Sequence, residues 1–214
     1  MQCAGGMAMH HPIYLLRARE LCDQFGVHLI ADEIAVGFGR TGTLFASEQA
    51  GITPDFMCLS KGLTGGYLPL SVVMTTDAIY RAFYHDEVAR GFLHSHSYTG
   101  NPLACRAALA TLDIFAQDDV IASNRIKAAQ FTQAMQPLQD HPRVRHFRHL
   151  GMIWAFDVAD AGPNFGQEFY QAALQRGLIL RPLGNTVYFM PPYVIEMEEM
   201  GQLIQGTLAC LDAA

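Results

Sequence analysis

The chain has 214 residues, of which 50% are hydrophobic and only 16% are charged, and its formal net charge is −6. Globular domains average about 25% charged residues, so a chain this apolar is folded rather than disordered. The acidic balance argues against partners that need a basic stripe, and we expect no nucleic-acid partner and no membrane partner.

The cysteines and the N-terminus indicate the compartment. The five cysteines are odd in number, lie far apart and include no C-x-x-C pair, so neither a disulfide framework nor a zinc knuckle is indicated. The chain shows no basic and apolar leader, and no apolar run approaches the ~18 residues that span a bilayer. We therefore expect a soluble, cytoplasmic protein.

The first half of the chain predicts an α/β sheet. A helix is expected to begin at Pro12 and to end before Gly26, because proline is favoured at the first helical position and glycine just past the last. Three apolar runs then predict strands. These strands are Val27–Ala31, followed by Asp32; Asp55–Leu59, followed by Ser60-Lys61-Gly62; and Leu70–Thr75.

The second half predicts a small α+β domain. Asn101-Pro102 supplies an N-cap and a first-turn proline for a long helix to about Phe115. The later elements are expected at Val120–Gln139 (helix), Met152–Val158 (strand), Phe165–Arg176 (helix), Leu178–Pro182 and Thr186–Met190 (strands), and Glu196–Leu211 (helix). We place a soft boundary near residue 118, so that 1–117 belongs to a larger domain and 118–214 forms the small one.

Asp32 and Lys61 are the first candidates for chemistry. In open α/β sheets, ligands bind beyond the carboxyl ends of the strands, where both residues are predicted to lie. They could form an ordinary ion pair. Alternatively, an apolar strand before Lys61 and its neighbours Ser60 and Gly62 could desolvate the amine and make it a nucleophile.

Three further patterns carry weaker hypotheses. Gly37–Gly42 matches G-x-G-x-x-G, but five residues separate it from the preceding strand, so a dinucleotide site is disfavoured. His94 and His96 would project from one face of a strand, yet no third ligand is apparent and we expect no metal. Arg181 follows an apolar segment. It either pairs with a backbone carbonyl or an acid within the fold, or it binds the carboxylate of a ligand. The basic cluster Arg143–His149 is interpreted as a solvated turn or strand edge without function.

Together, Leu29–Gly42, Pro54–Gly66 and Tyr98–Ala104 resemble the class III, pyridoxal-phosphate-dependent aminotransferases of fold type I. Within that family, further segments look most like the branch that aminates 8-amino-7-oxononanoate in biotin biosynthesis. These segments are Ala4–Met7, Phe92–His94, Arg181–Gly184 and Tyr188–Tyr193. The resemblance covers essentially the whole chain.

The resemblance implies roles for individual residues. Lys61 matches the lysine that attaches the cofactor, contacts the substrate and moves its proton, and Asp32 matches the acid that pairs with the cofactor's pyridine nitrogen. Arg181 matches the arginine that receives the carboxylate of 8-amino-7-oxononanoate. Ser95-His96-Ser97 stands where the family has Gly-Pro-Thr, a stretch that reaches across a homodimer. Its first residue contacts substrate, and its last two, His96 and Ser97 here, contact the cofactor phosphate.

The resemblance also implies pyridoxal 5'-phosphate as the cofactor, a homodimer, and S-adenosylmethionine or lysine as the amino donor. Family chains are considerably longer, so we expect this chain to be the C-terminal half of such an enzyme. Three alternatives stay open. They are another class III enzyme acting on an ω-amino acid, an inactive fragment or interaction module, and a nicotinamide-dependent oxidoreductase built on Gly37–Gly42.

Overall fold

A computed structural model of the chain describes residues 1–213 and divides them into two compact units. Unit I is His11–Val120, and unit II is Met1–His10 together with the residues from Ile121 onward. The first ten residues thus belong with the later half of the chain. The assignment of 1–117 and 118–214 to two domains of a larger enzyme stays a prediction. None of the helices in residues 1–213 is long and apolar enough to cross a membrane.

Unit I is built on a three-stranded mixed sheet in the order β1, β2, β3. The strands are β1 (Ile30–Asp32), β2 (Phe56–Leu59) and β3 (Val72–Thr75). β1 and β2 are parallel and β2 and β3 are antiparallel. The helices are α1 (Pro12–Phe25), α2 (Asp77–Phe83) and α3 (Pro102–Gln117), with short 3₁₀ helices at Ala46–Ala50, Lys61–Thr64 and Val88–Arg90.

Local chemistry explains where α1 begins and ends. Pro12 occupies the first turn, and the backbone N–H of Ile13 donates to Nδ1 of His11 at 3.2 Å. Gly26 ends the helix at φ 64°, a left-handed conformation that glycine adopts without steric cost. The predicted bounds of this helix are confirmed.

An ion pair ties α1 to the segment before β2. Oδ2 of Asp55 accepts hydrogen bonds from Arg19 Nη1 and from the backbone N–H of Leu29, both at 2.7 Å. The hydrogen bond from the Arg19 guanidinium, followed by that from Leu29, holds the pKa of the Asp55 carboxyl below its usual value. This contact fixes the chain on either side of the loop that separates β1 from β2.

Unit II has an antiparallel sheet in the order β4, β5, β6. The strands are β4 (Val144–Leu150), β5 (Ile153–Val158) and β6 (Thr186–Phe189), and the helices are α4 (Val120–Ala134), α5 (Gln136–Gln139), α6 (Phe165–Leu174) and α7 (Met197–Ala213). β5 supplies the centre of the core. Trp154 and Phe156 are fully buried, and the indole N–H of Trp154 donates to Oγ1 of Thr132 at 2.8 Å.

Three sequence predictions are wrong. Leu178–Pro182 is not a strand, because no neighbouring strand pairs with it, and only an isolated bridge joins Leu183 to Thr186. The helix predicted over Val120–Gln139 is two helices that break at Met135. His94 and His96 lie in a loop rather than in a strand. The basic cluster forms β4, which is an edge strand, as one of the two interpretations anticipated.

Arg148 of β4 holds the first residues of the chain on this sheet. Its Nη2 donates to the carbonyl of Gly6 at 2.7 Å and to Oδ1 of Asp157 at 3.0 Å, and its Nε donates to the carbonyl of Met7 at 3.1 Å. A guanidinium suits this task because its donors point in several fixed directions at once. The arginine thereby connects segments more than 140 residues apart.

Asp157 is the carboxylate at the centre of that contact. Burial alone raises the pKa of Asp157, but hydrogen bonds from Arg148, the Thr186 hydroxyl and the His146 ring outweigh it, so the pKa lies below its ordinary value. The distances to Thr186 and His146 are 2.8 Å and 3.0 Å. The carboxylate is therefore stabilised in its charged form within the fold.

Candidate active site

The sheet of unit I brings Asp32 and Lys61 to one edge. Asp32 is the last residue of β1 and aligns with Cys58 of the parallel strand β2, and Lys61 follows the end of β2 by two residues. Neighbouring strands lie about 4.8 Å apart. An acid and an amine therefore follow the carboxyl ends of two adjacent parallel strands, which is where α/β proteins bind ligands.

The backbone of Lys61 is held in an unusual conformation. Its φ is 45°, in the left-handed region, which costs a residue with a side chain about 1–3 kcal/mol. Two hydroxyls brace the turn around it, since Ser60 Oγ donates to the carbonyl of Leu70 at 2.7 Å and Thr64 Oγ1 donates to the carbonyl of Leu68 at 2.6 Å. The side chain of Lys61 is exposed at the sheet edge.

Asp32 and its neighbour Glu33 have different tasks. The Asp32 side chain is exposed, and its Oδ1 accepts the backbone N–H of Ile34 at 3.0 Å. Glu33 is 2% exposed, and its two carboxylate oxygens accept the N–H groups of Ala46 and Ser47 at 2.9 Å and 2.8 Å. Glu33 fixes the start of a 3₁₀ helix, and Asp32 remains accessible to a ligand.

The loop Gly37–Gly42 does not have the structure of a dinucleotide turn. Such a turn leads directly into a helix whose N-terminus receives phosphate. Here the glycines lie in consecutive turns, and the next element is the five-residue 3₁₀ helix Ala46–Ala50. A Cβ on Gly37 would lie 2.8 Å from the carbonyl oxygen of Glu33, so glycine is required for this close approach. The loop therefore matches the dinucleotide motif in sequence but not in structure.

The loop that carries Ser95, His96 and Ser97 is exposed and folded on itself. The backbone N–H of His96 donates to Oγ1 of Thr99 at 3.0 Å, and Nδ1 of His96 accepts the N–H of Tyr98 at 3.1 Å. Because Nδ1 is an acceptor, the proton of the neutral ring is on Nε2, which is left as a donor. In the part of the chain that the structure describes, no three His, Cys, Asp or Glu side chains are grouped to hold a metal.

Arg181 lies in unit II, whereas Asp32, Lys61 and Ser95–Ser97 lie in unit I. It follows buried Leu180 in the extended segment before β6, and its side chain is exposed. Its guanidinium makes no hydrogen bond or ion pair with any residue from 1 to 213. The role of Arg181 toward a ligand carboxylate stays a prediction.

The model of the family Aminotransferase class-III matches residues 1–211. The chain belongs to the class III aminotransferases. It is 48% identical to adenosylmethionine-8-amino-7-oxononanoate aminotransferase of Helicobacter pylori, covering 99% of this chain and 50% of that protein. It is 43% identical to the Synechococcus elongatus protein of the same name, with 99% and 50% covered. The chain spans about half the length of the curated relatives it matches.

A crystal structure of adenosylmethionine-8-amino-7-oxononanoate aminotransferase from Methanocaldococcus jannaschii superposes with a TM-score of 0.90 at 34% identity. The match covers 99% of this class III chain and 51% of that one. The prediction of an α/β, fold type I structure is confirmed. The class III family and these neighbours imply pyridoxal 5'-phosphate as the cofactor.

The residues present fit this cofactor in two respects. An exposed carboxylate at the end of β1 suits the pyridine nitrogen, which needs an acid partner, and an exposed amine beyond β2 suits the aldehyde carbon. The sequence motifs singled out both residues, and their roles toward the cofactor stay predictions. The motifs did not identify Glu33 or the glycine loop as supports of the site, because neither residue type nor spacing shows which backbone groups a buried carboxylate will reach.

Proposed function

We propose that the whole protein that contains this chain is an aminotransferase that converts 8-amino-7-oxononanoate to 7,8-diaminononanoate in biotin biosynthesis. We propose S-adenosylmethionine as its amino donor. The observation that carries the proposal is the placement of Asp32 and Lys61 at one sheet edge in a class III chain. The names of relatives at 48% and 43% identity support the choice of substrates.

The cofactor, when bound, supplies a protonated aromatic ring that withdraws electrons from the substrate carbon. Asp32 keeps the ring nitrogen protonated, because a carboxylate beside it favours its charged form. The amine of Lys61 holds the cofactor between turnovers. With the cofactor bound, the same amine would act as the base and acid that moves the proton between the substrate carbon and the cofactor's C4' atom.

The remaining predicted site residues bind and orient. We propose that the fork of Arg181 receives the carboxylate of 8-amino-7-oxononanoate in bidentate fashion. We propose that Ser95 contacts the substrate and that His96 and Ser97 contact the cofactor phosphate of a second subunit. Nε2 of His96 and the hydroxyl of Ser97 are donors suited to an anion.

A homodimer in the cytoplasm is part of the proposal. Five large side chains of one short segment are more than 70% exposed, namely Tyr84, Val88, Phe92, Leu93 and Tyr98, and such a concentration of exposed apolar surface supports a surface that a partner covers. All five cysteines are free, which agrees with a reducing compartment.

Replacing Lys61 tests the proposed function. In Lys61→Ala we expect turnover of 8-amino-7-oxononanoate to fall by about a thousandfold or more, because the residue serves in both attachment and proton transfer. Reduction of the wild-type protein with borohydride in the presence of cofactor should add the cofactor's mass to the peptide that contains Lys61.

Lys127, the other lysine of the chain, is a matched control for the labelling. Its amine donates to the carbonyls of Tyr193 and Ile195, both at 2.9 Å, and its peptide should stay unmodified. Normal turnover by Lys61→Ala would refute the assignment. Turnover assays with S-adenosylmethionine, lysine and simple ω-amino acids, each as sole donor, decide among the donors.

A further inference from the structure

Phe38, in the middle of the glycine loop, lies directly against the residue that follows Lys61. A Cβ placed on Gly62 would lie 3.0 Å from Cβ and 3.1 Å from Cδ2 of Phe38, and its three nearest atoms all belong to that phenylalanine. The side chain of Phe38 therefore fills the space that a side chain on Gly62 would need. Gly62 follows Lys61 directly, so its position determines the path of the backbone after Lys61.

Phe38 is itself firmly fixed. It is 3% exposed, with its ring 5.8 Å from that of Phe45 and 6.2 Å from that of Phe115, measured between centroids. Its backbone has a φ of 55°, and Gly37 before it donates its N–H to the carbonyl of Glu33 at 2.9 Å. Both the ring and the backbone of Phe38 are thus held by contacts on several sides.

Two residues with side chains, Phe38 and Lys61, adopt left-handed backbone conformations and meet around Gly62. A strained conformation persists only where surrounding contacts determine it from several directions, and such residues cluster at functional sites. At Lys61, the hydroxyl contacts of Ser60 and Thr64 brace one part of the turn. The ring of Phe38 supplies the contact on Gly62.

We propose that Phe38 is a positioning residue for Lys61. Its ring presses on Gly62, keeps Lys61 in the left-handed conformation and so fixes the point from which the amine extends. In this proposal, the glycines of the Gly37–Gly42 loop allow the turns that place Phe38 against Gly62. The inference rests on the proposed function only in taking Lys61 as the residue that holds the cofactor.

Phe38→Leu, in the whole protein, tests the proposal. A displacement of about 1 Å at a reacting group can cost up to a hundredfold in rate, so we expect kcat to fall about tenfold or more, with the KM for 8-amino-7-oxononanoate unchanged. We also expect the Kd of pyridoxal 5'-phosphate, measured by titration without substrate, to rise about tenfold. Phe115→Leu is the control, because its ring packs in the same core cluster but is not among the atoms nearest Gly62.

A rescue experiment separates positioning from a general loss of packing. Gly62→Ala forces a methyl group against the ring and should reproduce the loss of kcat and of cofactor affinity. Adding Phe38→Leu to Gly62→Ala should restore part of both, because leucine leaves space for the methyl group. Thermal melting identifies a temperature below which every variant is folded. The kcat values and the cofactor Kd values are compared below that temperature.

Two results would overturn the inference. One is a Phe38→Leu protein whose kcat and cofactor Kd match those of Phe115→Leu, and the other is an additive Gly62→Ala/Phe38→Leu double variant. Neither result touches the proposed function as long as borohydride still labels Lys61 in the wild-type protein. Absence of that labelling would instead refute the proposed function.

Discussion

Replacing Glu33 by alanine tests whether one buried carboxylate holds the chain between β1 and the first 3₁₀ helix. Its oxygens accept two backbone N–H groups, from Ala46 and Ser47, and the residue is 2% exposed. A hydrogen bond to a charged group contributes about 1.5–3 kcal/mol, and alanine leaves both donors without this partner, so the free energy of unfolding should fall by about 3–6 kcal/mol. That is a large part of the about 5–15 kcal/mol that stabilises a domain.

Hydrogen exchange read by mass spectrometry is the assay for this variant, together with urea unfolding followed by circular dichroism. The single tryptophan, Trp154, lies in unit II, so its fluorescence does not report directly on this turn. We expect faster exchange at Ala46 and Ser47 in Glu33→Ala. Glu20→Ala is the control, because Glu20 makes an exposed pair with Arg17 that is worth about 0–1 kcal/mol. Equal unfolding free energies and unchanged exchange in the two variants would refute the reasoning.

Two further predictions concern unit II. Because the folded pKa of Asp157 lies below its unfolded value, the stability it contributes is fully present above about pH 4 and is lost as the pH falls through the folded pKa. Melting of wild type, followed by Trp154 fluorescence, should therefore fall more steeply in acid than melting of Asp157→Asn, and parallel curves would contradict this. In Gly206→Ala the new Cβ would lie 2.4 Å from Cδ1 of Leu178, which should cost about 1–3 kcal/mol of stability. In a Leu178→Ala background the same Gly206→Ala change should cost less stability, and an equal cost in both backgrounds would exclude the clash as its cause.

Elements with local signals could be predicted from the sequence. Proline and glycine define α1 at its two ends, and Asn101 caps α3 by accepting the N–H of Leu103 at 3.0 Å. Strand bounds depend on a partner elsewhere in the chain. The apolar run Val27–Ala31 predicted the start of β1 three residues too early and its end one residue too early, because pairing with β2 begins only at Ile30. Leu178–Pro182 has strand-like composition, but no strand pairs with it.

The candidate site shows the same division. Asp32 and Lys61 follow apolar runs, so their place at a sheet edge could be predicted from neighbouring residues. The contact between Phe38 and Gly62 could not, because it joins two turns 24 residues apart and depends on left-handed backbone conformations. The G-x-G-x-x-G pattern around Phe38 instead resembles a motif that binds a dinucleotide. Residues that bind a cofactor leave a motif, whereas residues that support them act through packing that the motif does not record.

The hydrogen bonds from Arg148 to the carbonyls of Gly6 and Met7 restrict the order in which unit II can fold during synthesis. The two carbonyls precede their arginine by 142 and 141 residues, so they leave the ribosome long before their partner exists. At about 5–20 residues per second the delay is roughly 7–28 s, during which the first ten residues have no sheet to join. Unit II can therefore be completed only after β4 has emerged.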